Sequence, residues 1–171
     1  MGFWEAVKEI FPTTRFQRCW VHKTANVLNK PTKSLQTLAK KRIHDICIAP
    51  TKEEAEEAFD FFLKSYGAKY HKVTECLKKG RENLLTFYDF PAEYWRHLRT
   101  TNPIDSTYAT VKLRTAKTWG CLSRETGLSM VYQLCRAAER KWQRLHEPKR
   151  LADVVKGVKF VNGEVLEKKA A

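Results

Sequence analysis

The stretch TKEEAEEAFDFFLKSYG, Thr51 to Gly67, limits the fold more than any other part of the chain. Thr51 followed by Glu54 is a capping box, so a helix starts there. Ala55, Ala58, Phe59, Phe62 and Tyr66 then recur at helical spacing and form one apolar stripe. A stripe that carries three rings has to be covered, and the remaining segments supply other helices to cover it. Phe3, Trp4, Val7 and Ile10 share one face before Pro12 ends the segment. HKTANVLNK is a short helix stopped by Pro31. Ser34 to Ile48 predicts a helix with Leu35, Leu38, Ile43 and Ile46 inward and Pro50 beyond its end. A further helix covers roughly residues 69–79, and FYDFPAEYW is a turn region rich in aromatic residues. Thr126 is expected to cap a long helix bearing Leu128, Val131, Cys135, Ala138, Trp142 and Leu145. Its opposite face carries Arg136, Arg140, Lys141 and Arg144.

Strand signals are few. RFQRCWV alternates well enough for a short strand with Phe16 and Trp20 inward, but the chain offers it no partner. In KFVNGEVL the pair Asn162-Gly163 sits between apolar residues, the pattern of a tight hairpin. The expected fold class is mainly α with a small β component. At 171 residues one domain is the natural size.

Charge bears on partners. The formal net charge is +13 and the pI about 9.6, which points to a polyanion. Between residues 96 and 150 there are 12 Lys and Arg against 4 Asp and Glu, too one-sided for pairing along helices. Arg99, Lys112, Arg114, Lys117 and Arg124 are therefore candidate phosphate contacts, with a solvated face as the competing reading. No run of about 18 apolar residues exists to span a membrane. The start MGFWEAVKEIF lacks a secretory layout. Cysteines at 19, 47, 76, 121 and 135 form no disulfide framework, and a reducing cytoplasm suits them.

Three groups carry chemistry. In RTTNPIDSTYATVKLRT, Arg99 to Thr115, Asp105 suits a helix start with Asn102 as N-cap and Pro103 first in the helix. Equally, its hard oxygen suits Mg²⁺, although one carboxylate is not a two-metal site. Cys19-x-x-His22 and His44-x-x-Cys47 each have zinc half-site spacing, while their contexts favour buried thiols. Trp95 and Trp119 flank the Asp105 region, where they either stack on bases or pack internally. No Gly-rich phosphate loop, nucleophile elbow or HExxH motif occurs.

Several segments in order, GFWEAVKEIFPTTRFQRCWVHKTANVLNK, TTNPIDSTYATVKLRT, GCLSRETGLSMVYQL and LADVVKGVKFVNGEV, resemble the C-terminal part of bacterial insertion-sequence transposases of the Mutator type. The resemblance runs over nearly the whole chain. It implies a DDE enzyme with an RNase H-like α/β catalytic domain, two divalent ions and a helical insertion before the third acid. Asp105 then matches the third acid, where the family has glutamate. Aspartate is shorter by one methylene, about 1.5 Å. Cys19 and His22 match the family's Cys-x-x-His motif, which follows the second acid.

The implied division is 1–33 residual RNase H-like segment, 34–98 helical insertion, 99–146 third-acid helix with basic loop and long helix, and 147–171 tail with a hairpin. The family's first strands and first two acids would precede this chain, which would also explain the unpartnered strand. The expectation is a transposase fragment, inactive by itself, binding Mg²⁺ weakly alone. DNA, including transposon ends in the intact enzyme, is the expected partner, with self-association or association with full-length transposase beside it. Location is bacterial cytoplasm, at the nucleoid. The alternatives are a non-enzymatic DNA-binding or subunit-interaction module, and a remnant that folds poorly.

Overall fold

The computed structural model describes residues 3–117, 123–142 and 145–166. Its centre is a helical group: α2 (Trp20–Leu28), α3 (Lys33–Ile48), α4 (Lys52–Gly67), α5 (His71–Lys78) and α6 (Arg81–Leu85). α3 and α4, joined through Ala49–Thr51, pack on each other; α5 packs on α4 and α2, and α2 on α3. Ile43 and Ile46 from α3 meet Phe59 and Phe62 from α4, and all four are fully buried. Each such side chain contributes about 1.5–3 kcal/mol by leaving water. α4 begins as its sequence dictates, with Thr51 Oγ1 accepting from the Glu54 N–H at 3.2 Å. Two 3₁₀ turns, Thr86–Asp89 and Ala92–Tyr94, lead into α7 (Trp95–Leu98) and close the core with Phe87 and Tyr88.

α1 (Phe3–Ile10) stops before Pro12 as expected. The strand expected over residues 15–21 does not form. Arg18 N–H donates to Asn83 O at 2.7 Å, but the Gln17 side chain takes over further anchoring, donating to Leu84 O and accepting from Phe87 N–H. The segment is thus pinned to α6 and the turn after it, not laddered to another strand. Trp20, expected on that strand, opens α2 and is 3% exposed, its indole N–H donating to Leu84 O at 2.9 Å. The inward face of α3 is also rotated: Ala39 is buried and Leu38 exposed.

Beyond the centre lie α8 (Asn102–Lys117) and α9 (Arg124–Glu139), packed on each other. α9 starts at Ser123, whose hydroxyl accepts from Thr126 N–H at 3.1 Å, so the cap lies three residues before Thr126. It also ends at Glu139, leaving Trp142 and Leu145 outside the helix. Of the loop expected between these helices, 118–122 lies outside the described residues, as does Arg144.

α10 (Lys149–Val155) precedes the single sheet found among the described residues, the antiparallel pair β1 (Phe160–Val161) and β2 (Glu164–Val165). Asn162 at φ 51° and Gly163 at φ 86° make the tight turn between them. This hairpin is clamped to the helical group. Gly163 N–H donates to Tyr88 O, Ala92 N–H donates to Gly163 O, and Asn162 Oδ1 accepts from Lys52 N–H at 2.8 Å.

Candidate functional site

One backbone bond sets the site. Trp20 N–H, at the start of α2, donates to Arg99 O at 2.8 Å, just after α7. It brings the turn carrying Cys19 and His22 against the residues that open α8. The helix starts at Asn102, one residue earlier than its sequence suggests, with Asp105 N–H donating to Thr101 O at 2.8 Å. Asn is the better N-cap residue by type, yet Thr101 holds that place.

Thr101 Oγ1 is the meeting point. It lies 2.7 Å from Asp105 Oδ2, 3.3 Å from His22 Nδ1 and 3.5 Å from Cys19 Sγ. His22 Nε2 is 4.0 Å from Asp105 Oδ2, and both side chains are more than half exposed. Burial raises the Cys19 thiol, but the His22 backbone N–H, the Thr101 groups and the His22 ring outweigh it, lowering the pKa from 9.0 to about 7. The same contact with Cys19 raises the His22 pKa, and the Asp105 charge adds to it. The two residues recognised as a motif are therefore joined to Asp105 in space, through a threonine that sequence reasoning passed over. Its only signal was a hydroxyl residue one helical turn ahead of the acid.

The other candidates are dispersed. Arg99 has its guanidinium over the Phe87 ring at 4.5 Å and the Trp95 ring at 5.2 Å, and its Nε is buried without a hydrogen bond. Its charge is thus held by aromatic packing. Lys112, Arg114 and Lys117 are exposed on α8 and Arg124 opens α9. At 100° per residue, Lys112 shares the stripe of Asp105 about 10 Å further along, while Arg114 and Lys117 turn to the far side. Trp95 packs edge-on against Phe87 and Tyr88, carries the Arg99 guanidinium over its ring and donates to Phe90 O, contacts that favour internal packing. Trp119 lies outside the described residues.

Zinc coordination by the two half-sites does not assemble. His44 is exposed on α3, and Cys47 is half-buried, its thiol pushed up by burial. Among the described residues, no three His, Cys, Asp or Glu side chains group so as to hold a metal by themselves. Asp105 fits a divalent ion as one hard oxygen ligand and not as a complete site. Among these residues, too, no helix is long and apolar enough to cross a membrane.

The family described as "Transposase, Mutator family" matches residues 1–145. The transposase for insertion sequence element IST2 of Acidithiobacillus ferrooxidans is 47% identical over 163 residues, covering 95% of this chain and 55% of that protein. The transposase for insertion sequence element IS6120 of Mycolicibacterium smegmatis is 46% identical over 168 residues, covering 98% of this chain and 52% of that protein. The chain spans about half the length of these relatives.

Proposed function

The chain belongs to the Mutator family of transposases, and on that premise we propose that it serves DNA transposition by metal-dependent strand cleavage and transfer. The observation that carries this reading is the gathering of Cys19, His22 and Thr101 around Asp105 at the start of α8. A bound divalent ion, Mg²⁺ in this reading, supplies Lewis acidity at the scissile phosphate. Asp105 contributes one carboxylate ligand, and Thr101 holds that carboxylate at the helix start. Lys112 holds a DNA phosphate on the Asp105 face, and Arg114, Lys117 and Arg124 contact phosphates away from that carboxylate.

In this reading α8 belongs to an RNase H-like catalytic domain, and residues 34–98 are its helical insertion. One carboxylate cannot place two ions, so the other acids come from the part of the transposase that this chain does not span. DNA binding then puts the protein at the nucleoid. The purified 171-residue chain should bind duplex DNA in a salt-dependent way and leave it intact when Mg²⁺ is added. Robust Mg²⁺-dependent nicking of terminal-repeat DNA by this chain would overturn its catalytic incompleteness.

A second reading, a subunit-interaction module, is favoured by one observation. α9 has no buried residue among those described, and Leu128 and Tyr132 are 61% and 60% exposed. Such a face suits association with another transposase chain. Sedimentation of the purified chain over a concentration series tests it, and a monomer throughout speaks against self-association.

A further inference from the structure

We propose that Thr101 is a positioning residue of the Asp105 site, fixing the carboxylate through its hydroxyl and tying it to the Cys19–His22 turn. This deepens the reading above and rests on Asp105 being an ion ligand. A hydroxyl has one proton to give, and three groups surround it. The 2.7 Å approach to Asp105 Oδ2 is the length of a charge-assisted bond, whereas Nδ1 of His22 and Sγ of Cys19 stand at 3.3 Å and 3.5 Å. The proton therefore goes to Asp105 while Cys19 is a neutral thiol, and only the Cys19 thiolate competes for it. The Thr101 oxygen is then left to accept, and the His22 ring N–H at Nδ1 is placed to donate to it.

The arrangement acts on direction. A short Asp side chain at a helix start rotates about two bonds, and a bond to Oδ2 removes that freedom. Thr101 is itself held from both sides. Its carbonyl accepts from Asp105 N–H, and the preceding Arg99 carbonyl accepts from Trp20 N–H. The carboxylate thus inherits its position from the junction of α2 and α8, which is where the Cys-x-x-His turn sits. Outer hydrogen-bond partners of this kind commonly change ion affinity by 10–100-fold when removed.

The test uses Mn²⁺ alone as the probe, added to the 171-residue chain, with paramagnetic broadening of the amide resonances flanking Asp105 as readout. Wild type and T101S should broaden alike, D105N should not, and T101V should need about tenfold more Mn²⁺. Losing the N-cap hydroxyl lowers its thermal unfolding midpoint below that of T101S, so the two are compared at a temperature where both are folded. A merely structural role would move the midpoint and leave the Mn²⁺ dependence alone. If D105N abolishes broadening and T101V matches wild type, the Thr101 proposal alone falls. If wild type shows no broadening there, or D105N keeps it, the ligand reading of Asp105 falls and takes this proposal with it. Should T101V not fold, Thr101→Ala, which adds no volume at this half-buried helix start, carries the same comparison.

Discussion

Cys19 precedes α2 with its sulfur near the first-turn amide of His22, and this placement makes its acidity measurable. The group's folded pKa lies near 7 against an ordinary 9.0, so the thiolate forms about two pH units early. A depressed acid stabilises the fold above its unfolded pKa, and that contribution is lost as pH falls from about 9 through about 7. His22 is shifted the opposite way, so its contribution is complete below 6.5 and lost as pH rises through its raised folded value. The expected outcome is that alkylation of Cys19 by iodoacetamide, followed by peptide mass spectrometry, rises with a midpoint near pH 7. His22→Gln keeps the backbone N–H, the strongest of the lowering contacts, and removes only the ring contact, so it should move that midpoint up slightly. A wild-type midpoint near 9 would break the link between the two residues. At this scale the sequence showed Cys19, His22 and Asp105, each by type and spacing. It did not show Thr101, because a threonine's partners across 79 and 82 residues are set by folding alone.

The elements that were legible are those whose signals are local. Thr51 and Glu54 cap α4, Pro12 ends α1, and Asn162-Gly163 turns the hairpin, each through contacts within a few residues. Elements that depend on distant partners leave no such local signal. RFQRCWV alternates like a strand, but its anchors are Asn83, Leu84 and Phe87, and without a neighbouring strand alternation carries no sheet. The hairpin supplies the sharpest test at this scale. A Cβ on Gly163 would lie 2.6 Å from the Ala92 Cβ and 2.9 Å from the Trp95 ring, and φ is +86°. Backbone strain of about 1–3 kcal/mol adds to that overlap. Gly163→Ala should therefore lose about 2–4 kcal/mol in chemical denaturation, since neither the backbone of Ala92 nor the packed indole has room to retreat. A loss below about 1 kcal/mol would mean that the hairpin does not clamp the helical group.

For the whole molecule, the sequence announced a polyanion partner through its charge of +13 but not where the charge would act. Exposed lysines occur on both the central helices and α8, so net charge alone cannot choose between a diffuse attraction and a surface around Asp105. Counterion release can choose. Each phosphate neutralised adds about 0.9 to the slope of log affinity against log salt for duplex DNA. Replacing Lys112, Arg114 and Lys117 together with alanine should lower that slope by up to about 3 if all three contact phosphate. Replacing Lys33, Lys40 and Lys41, three exposed residues of α3, removes the same charge and should change the slope much less. Equal effects from the two triple variants would show that attraction is spread over the molecule and that α8 is not the DNA surface. Within α8 the single variants should rank by direction. Lys112 lies on the Asp105 stripe, so Lys112→Ala should weaken binding more than Arg114→Ala or Lys117→Ala, which sit on the far side of the helix. A reversed order would place the DNA on the face away from Asp105, where that carboxylate could not reach a phosphate.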